Sequence, residues 1–92
     1  MRMLFTVTAK RRVLKVLEGL DRERRKRFDE VLSILKKNPI PFRALDVVKL
    51  KGYENTYRIR IGDYRIVYEV LWDEKRILIH FIGRRKTAYR RR

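Results

Sequence analysis

The stretch Thr56–Ile82, TYRIRIGDYRIVYEVLWDEKRILIHFI, decides the fold. Tyr57, Ile59 and Ile61 alternate with Arg58 and Arg60, the period-two pattern of a strand with one buried face. Gly62–Asp63 then makes a turn, because glycine reaches the positive φ that a tight reversal needs. Tyr64–Trp72 alternates again, with Tyr64, Ile66, Tyr68 and Val70 set against Arg65, Val67, Glu69 and Leu71. Asp73–Lys75 turns a second time, and Arg76–Ile82 is a last strand rich in Ile, Leu and Phe that ends at Gly83. Just upstream, Val47–Leu50 reads as a short strand closed by Lys51–Gly52. The second half of the chain is therefore a meander of strands.

Working outward, the period changes to helical. Met3–Val7 is short and apolar and reads as a first strand, after which the Thr8 hydroxyl is placed to cap a helix. Val13, Val16, Leu17 and Leu20 fall at helical spacing between Ala9 and Leu20. Gly19 ends that helix and Asp21 caps the next, which covers residues 22–37 with Phe28, Val31, Leu32 and Leu35 on one face. The other face is rich in Arg and Lys. Lys36, Lys37, Asn38 and Pro39 form a stop, the two lysines complementing the helix C-terminal dipole. The short link between the helices predicts an antiparallel hairpin, and Asn38–Asp46, with two prolines, is a loop. The order is strand, helix, helix, then a meander of strands. It predicts one α+β domain over residues 1–92, with two N-terminal helices covering one face of a small antiparallel-rich sheet.

The charge is one-sided: 26 Lys and Arg against 11 Asp and Glu, a net +15. A charge-rich surface built for heat resistance uses both signs in networks, so it does not account for this excess. Such an excess attracts polyanions, nucleic acid first among them. The chain has no Cys and a single His, which excludes disulfides, thiolate metal sites and His clusters. No cofactor and no metal are expected. No apolar run reaches the roughly 18 residues of a membrane span, and the N-terminus lacks the pattern of a signal peptide. The expected location is cytoplasmic, with no membrane partner.

The segment VVKLKGYENTYRIRIGDYRIVYEV, residues 47–70, resembles the core signature of the RelE/ParE toxin superfamily. Its parts are the Lys49-Leu50-Lys51-Gly52 turn, the Tyr57-Arg58-Ile59-Arg60 strand, Gly62-Asp63-Tyr64-Arg65, and Tyr68 two residues after Ile66. The Leu20–Asp21 pair between the helices and Asn38–Pro39 after the second also match, so the resemblance spans nearly the whole chain. It implies two helices against a curved antiparallel sheet. It also implies a toxin of a toxin–antitoxin pair. A RelE-like member is a metal-independent endoribonuclease (an mRNA interferase) that cuts mRNA in the ribosomal A site. A ParE-like member instead inhibits DNA gyrase without being an enzyme. The implied partners are a cognate acidic RelB-like antitoxin, the ribosome and mRNA. The toxin is expected to be a monomer when free and a hetero-oligomer with its antitoxin, which wraps the sheet and the cationic face.

Metal-free RNA cleavage needs a base for the ribose 2′-hydroxyl, cations for the phosphorane, and a proton for the 5′-oxygen. Arginine suits the second task, because its fork binds phosphate oxygens and keeps its charge. Arg58 and Arg60 share one sheet face by their spacing, opposite Tyr57, Ile59 and Ile61, and Arg65 can lie beside them. Three guanidinium groups so placed call for an anion. A solvated polar face is the ordinary meaning of alternating arginines; the motif turns the reading toward phosphate.

By the resemblance, Arg65 matches a catalytic arginine, and Arg58 and Arg60 match positions where RNA-cleaving relatives carry basic residues, often lysine. Arginine does not give up its proton, so the general base is left open. Arg84 or Arg85 matches a second catalytic arginine after the last strand, and Tyr89 a C-terminal tyrosine able to stack on a base or pass a proton.

Lys49, Lys51, Arg22, Arg25 and Lys26 are expected to grip RNA. So are Lys10, Arg11, Arg12, Arg24 and Arg27, all on helix faces turned from the core, where an ordinary solvated face would look the same. His80, inside a strand, reads as structural, and Glu69 as an ion-pair partner of Arg58 or Arg60. Trp72 and Tyr68 read as packing residues. A plain nucleic-acid-binding module is disfavoured, since aromatics are not interleaved among the basic residues as stacking platforms. Translation inhibition by mRNA cleavage is the leading reading, and gyrase inhibition the alternative.

Overall fold

The computed structural model describes residues 4–84 of the chain. Its elements are β1 (Thr6–Ala9), α1 (Arg11–Glu18), α2 (Arg22–Lys37), β2 (Asp46–Lys49), β3 (Thr56–Ile61), β4 (Tyr64–Leu71) and β5 (Arg76–Arg84), with a 3-10 turn at Trp72–Glu74. The five strands form one sheet in the order β1-β5-β4-β3-β2. β2, β3, β4 and β5 are antiparallel neighbours, while β1 runs parallel to β5. The sheet is thus mixed, and its one parallel pair, β1 with β5, brings together the first and last described strands, since strands joined by a hairpin are antiparallel.

Helix α1 packs on β5 and α2 against β1, giving two layers. Val13 and Leu17 of α1 and Phe28, Val31 and Leu35 of α2 are buried, the i, i+3, i+4 stripe that the spacing predicts. They meet Ile59 of β3, Ile66, Tyr68 and Val70 of β4, and Ile77 and Ile79 of β5, all at 1% exposure or less. Asp21 Oδ1 accepts from the Arg24 backbone N–H at 2.8 Å and starts α2 as expected. The Phe5 N–H donates to Lys36 O at 2.9 Å, satisfying one of the last carbonyls of α2.

Thr8 does not cap α1. It lies within β1, where its hydroxyl donates to Ile77 O at 3.2 Å and accepts from Arg76 Nη1 at 3.0 Å. Lys10 occupies the N-cap position with no side-chain hydrogen bond. Pairing with β5 draws Thr8 and Ala9 into the sheet, so the strand ends later and the helix starts later than the apolar pattern suggests.

The β3–β4 turn follows the expected design, with Gly62 at φ 59 in a two-residue link. β5 departs from plain alternation. Val67 pairs with Phe81 but Tyr68 pairs with Ile79, leaving His80 as an extra residue on β5. This is a β-bulge, two residues set against one. Ile77 and Ile79 point into the core before it and Ile82 after it, so His80 and Phe81 both belong to the opposite, helix-free face. Among the described residues no helix is long and apolar enough to cross a membrane.

Candidate functional site: an arginine face on the open side of the sheet

Pairing across the strands sorts the helix-free face into rows. Arg60, Arg65 and Gly83 form one; Arg58, Val67 and Phe81 the next; Thr56, Glu69 and Leu78 a third, with His80 bulged out between the last two. Successive rows lie about 6.6 Å apart, twice the rise per residue of a strand. Arg58, Arg60 and Arg65 therefore do converge, with Arg60 directly opposite Arg65.

Their environments differ. Asp46 on β2 takes both β3 arginines, Arg60 Nε at 2.7 Å and Arg58 Nη2 at 3.5 Å. Arg60 and Asp46 are open to solvent, so this pairing contributes at most about 1 kcal/mol. Arg65 is 4% exposed, the one charged residue in the buried set. Its Nη1 makes only a long bond of 3.4 Å to Tyr64 O, and its Nε makes none. No carboxylate pairs with it among the described residues. A desolvated cation without a counter-charge is costly, and it presents an anion site already stripped of water. A solvated polar face has no such residue.

Glu69 corrects an expectation. It does not pair with Arg58 or Arg60; its Oε1 meets His80 Nε2 at 2.9 Å, both side chains about two-thirds buried. The register is the reason: Leu78 is the cross-strand partner of Glu69, and His80, two residues on, shares that face. Beside it the Phe81 ring folds over Gly83, so close that a Cβ there would meet Phe81 Cζ at 2.6 Å. Position 83, opposite Arg65, needs a glycine for this ring placement.

Arg84 lies apart from this cluster. It pairs across the strands with Tyr64, on the helix side of the sheet. There its guanidinium sits 5.3 Å over the Tyr64 ring and Nη1 lies 3.8 Å from Asp63 Oδ2. Arg24 of α2 covers the same ring at 5.7 Å, and Phe28 meets it edge-on. A shallow cleft of ≈ 240 Å³ opens here between Arg24, Arg27 and Phe28 and the Gly62–Tyr64 turn. Of the two arginines matched to a second catalytic position, Arg84 is thus held away from Arg65. Arg85 and Tyr89 lie outside the described residues.

The remaining basic candidates are dispersed. Arg22, Arg25 and Lys26 are exposed on α2, in the layer behind the sheet, with Arg25 bonded to Asp29 at 3.2 Å. Lys49 Nζ donates to Tyr53 O at 3.3 Å, and Lys51 is exposed in the following turn. Tyr68 is fully buried, its hydroxyl donating to Pro39 O at 2.7 Å, and burial first, the neighbouring Tyr57 phenol second, push its ionisation well above the ordinary tyrosine range. Trp72 packs edge-on against Phe5 while remaining half exposed.

Comparison with known proteins assigns the family. The family described as ParE toxin of type II toxin–antitoxin system, parDE, matches residues 4–89. The chain belongs to the RelE/ParE toxin family. It is 46% identical over 88 residues to RelE1 of Methanocaldococcus jannaschii, an alignment spanning 96% of this chain and 98% of that one. Among solved structures, the archaeal RelE–RelB complex from Pyrococcus horikoshii matches with TM-score 0.81 and 38% identity, over 90% of this chain and 97% of that chain. The RelB–RelE antitoxin–toxin complex from Methanococcus jannaschii matches with TM-score 0.72 and 30% identity, over 89% and 94%. The isolated Escherichia coli RelE toxin, 23% identical, shares the fold with TM-score 0.73. The RelE/ParE architecture expected from residues 47–70 is therefore the architecture present: two helices on one sheet.

Proposed function

We propose that this RelE/ParE toxin is an mRNA endoribonuclease acting in the ribosomal A site, without a metal, by attack of a ribose 2′-hydroxyl on the adjacent phosphate. One observation carries the reading: Arg65, 4% exposed and with no acidic partner among the described residues, sits directly opposite Arg60 and one row from Arg58. Charge develops on the phosphorane oxygens in the transition state. A guanidinium already desolvated and fixed stabilises that charge with little reorganisation. Arg58 and Arg60, which share the one carboxylate of Asp46, are positioned to exchange it for phosphate oxygens. The ribosome contributes by holding the message in a reactive geometry, since orientation alone supplies a large share of such a barrier.

The same face suits an acidic antitoxin as inhibitor. The Pyrococcus and Methanococcus relatives were solved with RelB bound, and a net charge of +15 favours an acidic partner of that kind. A RelB-like chain seated there would supply Arg65 with the carboxylate it lacks.

The deciding experiment is cleavage of mRNA on programmed ribosomes by wild type and Arg65→Ala, mapping the cut and its 3′ end. Cuts in the A-site codon ending in a 2′,3′-cyclic phosphate, reduced by about 100-fold or more in Arg65→Ala, are expected. Intact mRNA with a protein that still arrests growth would transfer the reading to gyrase inhibition, the ParE-like branch.

A further inference from the structure

We infer that His80 is the general base of this toxin, with Glu69 as its positioning residue; the inference rests on the mRNA-cleaving reading above. Arg58 and Arg60 hold their protons at any physiological pH, so neither can deprotonate a 2′-hydroxyl. Among the described residues facing this side, the groups able to accept a proton are Asp46, Glu69 and His80. Asp46 lies on the β2 edge and is engaged by two guanidinium groups. The Glu69–His80 pair is on the central strands, about two-thirds buried, and faces this side beside the bulge. Bulges recur beside active sites, where they re-aim a side chain.

The pair has the form of a working base. Nε2 is the nitrogen that contacts Glu69 at 2.9 Å. A neutral ring that donates this N–H to the carboxylate leaves Nδ1 unprotonated, and no hydrogen bond engages Nδ1 among the described residues. Glu69 fixes the ring and stabilises the cation that forms on proton transfer, as a carboxylate does behind a catalytic imidazole.

The register also places it suitably. Arg58 stands in the middle row, with the Arg65 row on one side and the Glu69 row on the other, each about 6.6 Å away. His80 lies on β5, one strand from Arg65 and two from Arg58, so a phosphate bound between the β3 and β4 arginines has His80 on its β5 side. The 2′-O–H proton passes to His80 Nδ1 as the 2′-oxygen bonds to phosphorus. The bond from phosphorus to the 5′-oxygen breaks on the side away from His80, and that oxygen takes a proton from water. The products are a 2′,3′-cyclic phosphate and a 5′-hydroxyl; the imidazolium returns its proton to solvent.

The test is single-turnover cleavage on programmed ribosomes at saturating toxin across pH 5.5 to 8.5, with wild type, His80→Gln, Glu69→Gln and Arg65→Ala. Glutamine keeps a donor toward Glu69 but cannot serve as the base, so a merely structural histidine would be largely replaced by it. The expected result for His80→Gln is a rate lower by about 100-fold or more, with ribosome binding retained. The decline in rate toward acid pH expected of wild type should be absent from that variant, because no base remains to be protonated. The charged groups around His80 on this face, Glu69, Arg58 and Arg65, are unchanged in it. Glu69→Gln should slow cleavage less and keep the acid decline. His80→Asn is read in the same way if His80→Gln is unstable. A folded His80 variant that cleaves at the wild-type rate, beside an inactive Arg65→Ala, overturns this assignment and leaves the RNA-cleaving reading standing. A wild type that leaves mRNA intact overturns both.

Discussion

At the scale of residues, the role proposed for Arg65 and the stability of the fold pull in opposite directions. Arg65 is buried among the core-forming strands, yet Nε has no hydrogen-bond partner and the Nη1 bond to Tyr64 O is 3.4 Å long. Transfer of a cation from water is repaid by a close counter-charge, and the described residues offer none. Replacing it with an unbranched apolar side chain removes that cost while filling similar space. Arg65→Met should therefore raise stability by about 1–3 kcal/mol, read as a higher urea midpoint at unchanged slope, while abolishing cleavage. A destabilised Arg65→Met would show that the guanidinium stabilises the fold, and would remove the argument that its burial serves a ligand. Arg58 and Arg60 offer no such contrast, because Asp46 already meets them.

At the scale of elements, what could be read from the residues followed from how strictly each segment alternates. β3 and β4 carry an arginine, valine or glutamate at nearly every second place, so their span, their faces and the Gly62 turn were legible, and with them the convergence of Arg58, Arg60 and Arg65. Helix α2 was legible for the same kind of reason, with Asp21 at one end and Asn38 at the other. β5 was not. RILIHFI is apolar at almost every position, so no alternation marks its faces, and the bulge at His80 leaves no trace in composition. The Glu69–His80 pair was missed for that reason, and so was the fact that Arg84 faces the helices rather than Arg65. The short β1 was displaced because partner choice, here parallel pairing with β5, sets a strand's ends more than its own residues do. Tyr68 shows how elements are then held together: its hydroxyl ties β4 to Pro39, in the loop that leaves α2. Its ionisation is raised in the folded state, so below pH of about 10 both states keep the proton. Above that, the unfolded chain releases it first and stability falls, by at most about 1.4 kcal/mol per pH unit. Tyr68→Phe should lose roughly 1–2 kcal/mol at neutral pH from the missing hydrogen bond, and its stability should fall less steeply above pH of about 10. Equal alkaline slopes in the two proteins would show that Tyr68 ionises as freely folded as unfolded.

At the scale of the whole molecule, the positive charge lies in more than one layer, and the proposed reaction assigns the sheet face and the helices different work. The open face of the sheet holds the arginines near Asp46 and the Glu69–His80 pair, while the two helices behind it carry a net +6. On α2, Arg24 and Arg25 are paired with Asp21 and Asp29, but Arg22 and Lys26 have no ion pair among the described residues. On the proposed reading such charges serve binding: each phosphate they neutralise would release a counterion, and affinity would then fall steeply with salt. About six such contacts would weaken ribosome binding by roughly a thousandfold between 50 and 200 mM salt. If the layers are separate in function, variants in them should separate binding from chemistry. Arg22→Ala/Lys26→Ala should lower the slope of log affinity against log salt by about 1–2, roughly one per lost contact, and leave cleavage at saturation unchanged. Arg65→Ala should keep the wild-type slope to within one contact and lose the cleavage. Binding measured by sedimentation with ribosomes over a salt series, beside single-turnover rates, gives both numbers for each variant. A wild-type slope in Arg22→Ala/Lys26→Ala would mean that the helix layer points away from the ribosome, and that the sheet face alone holds both message and ribosome.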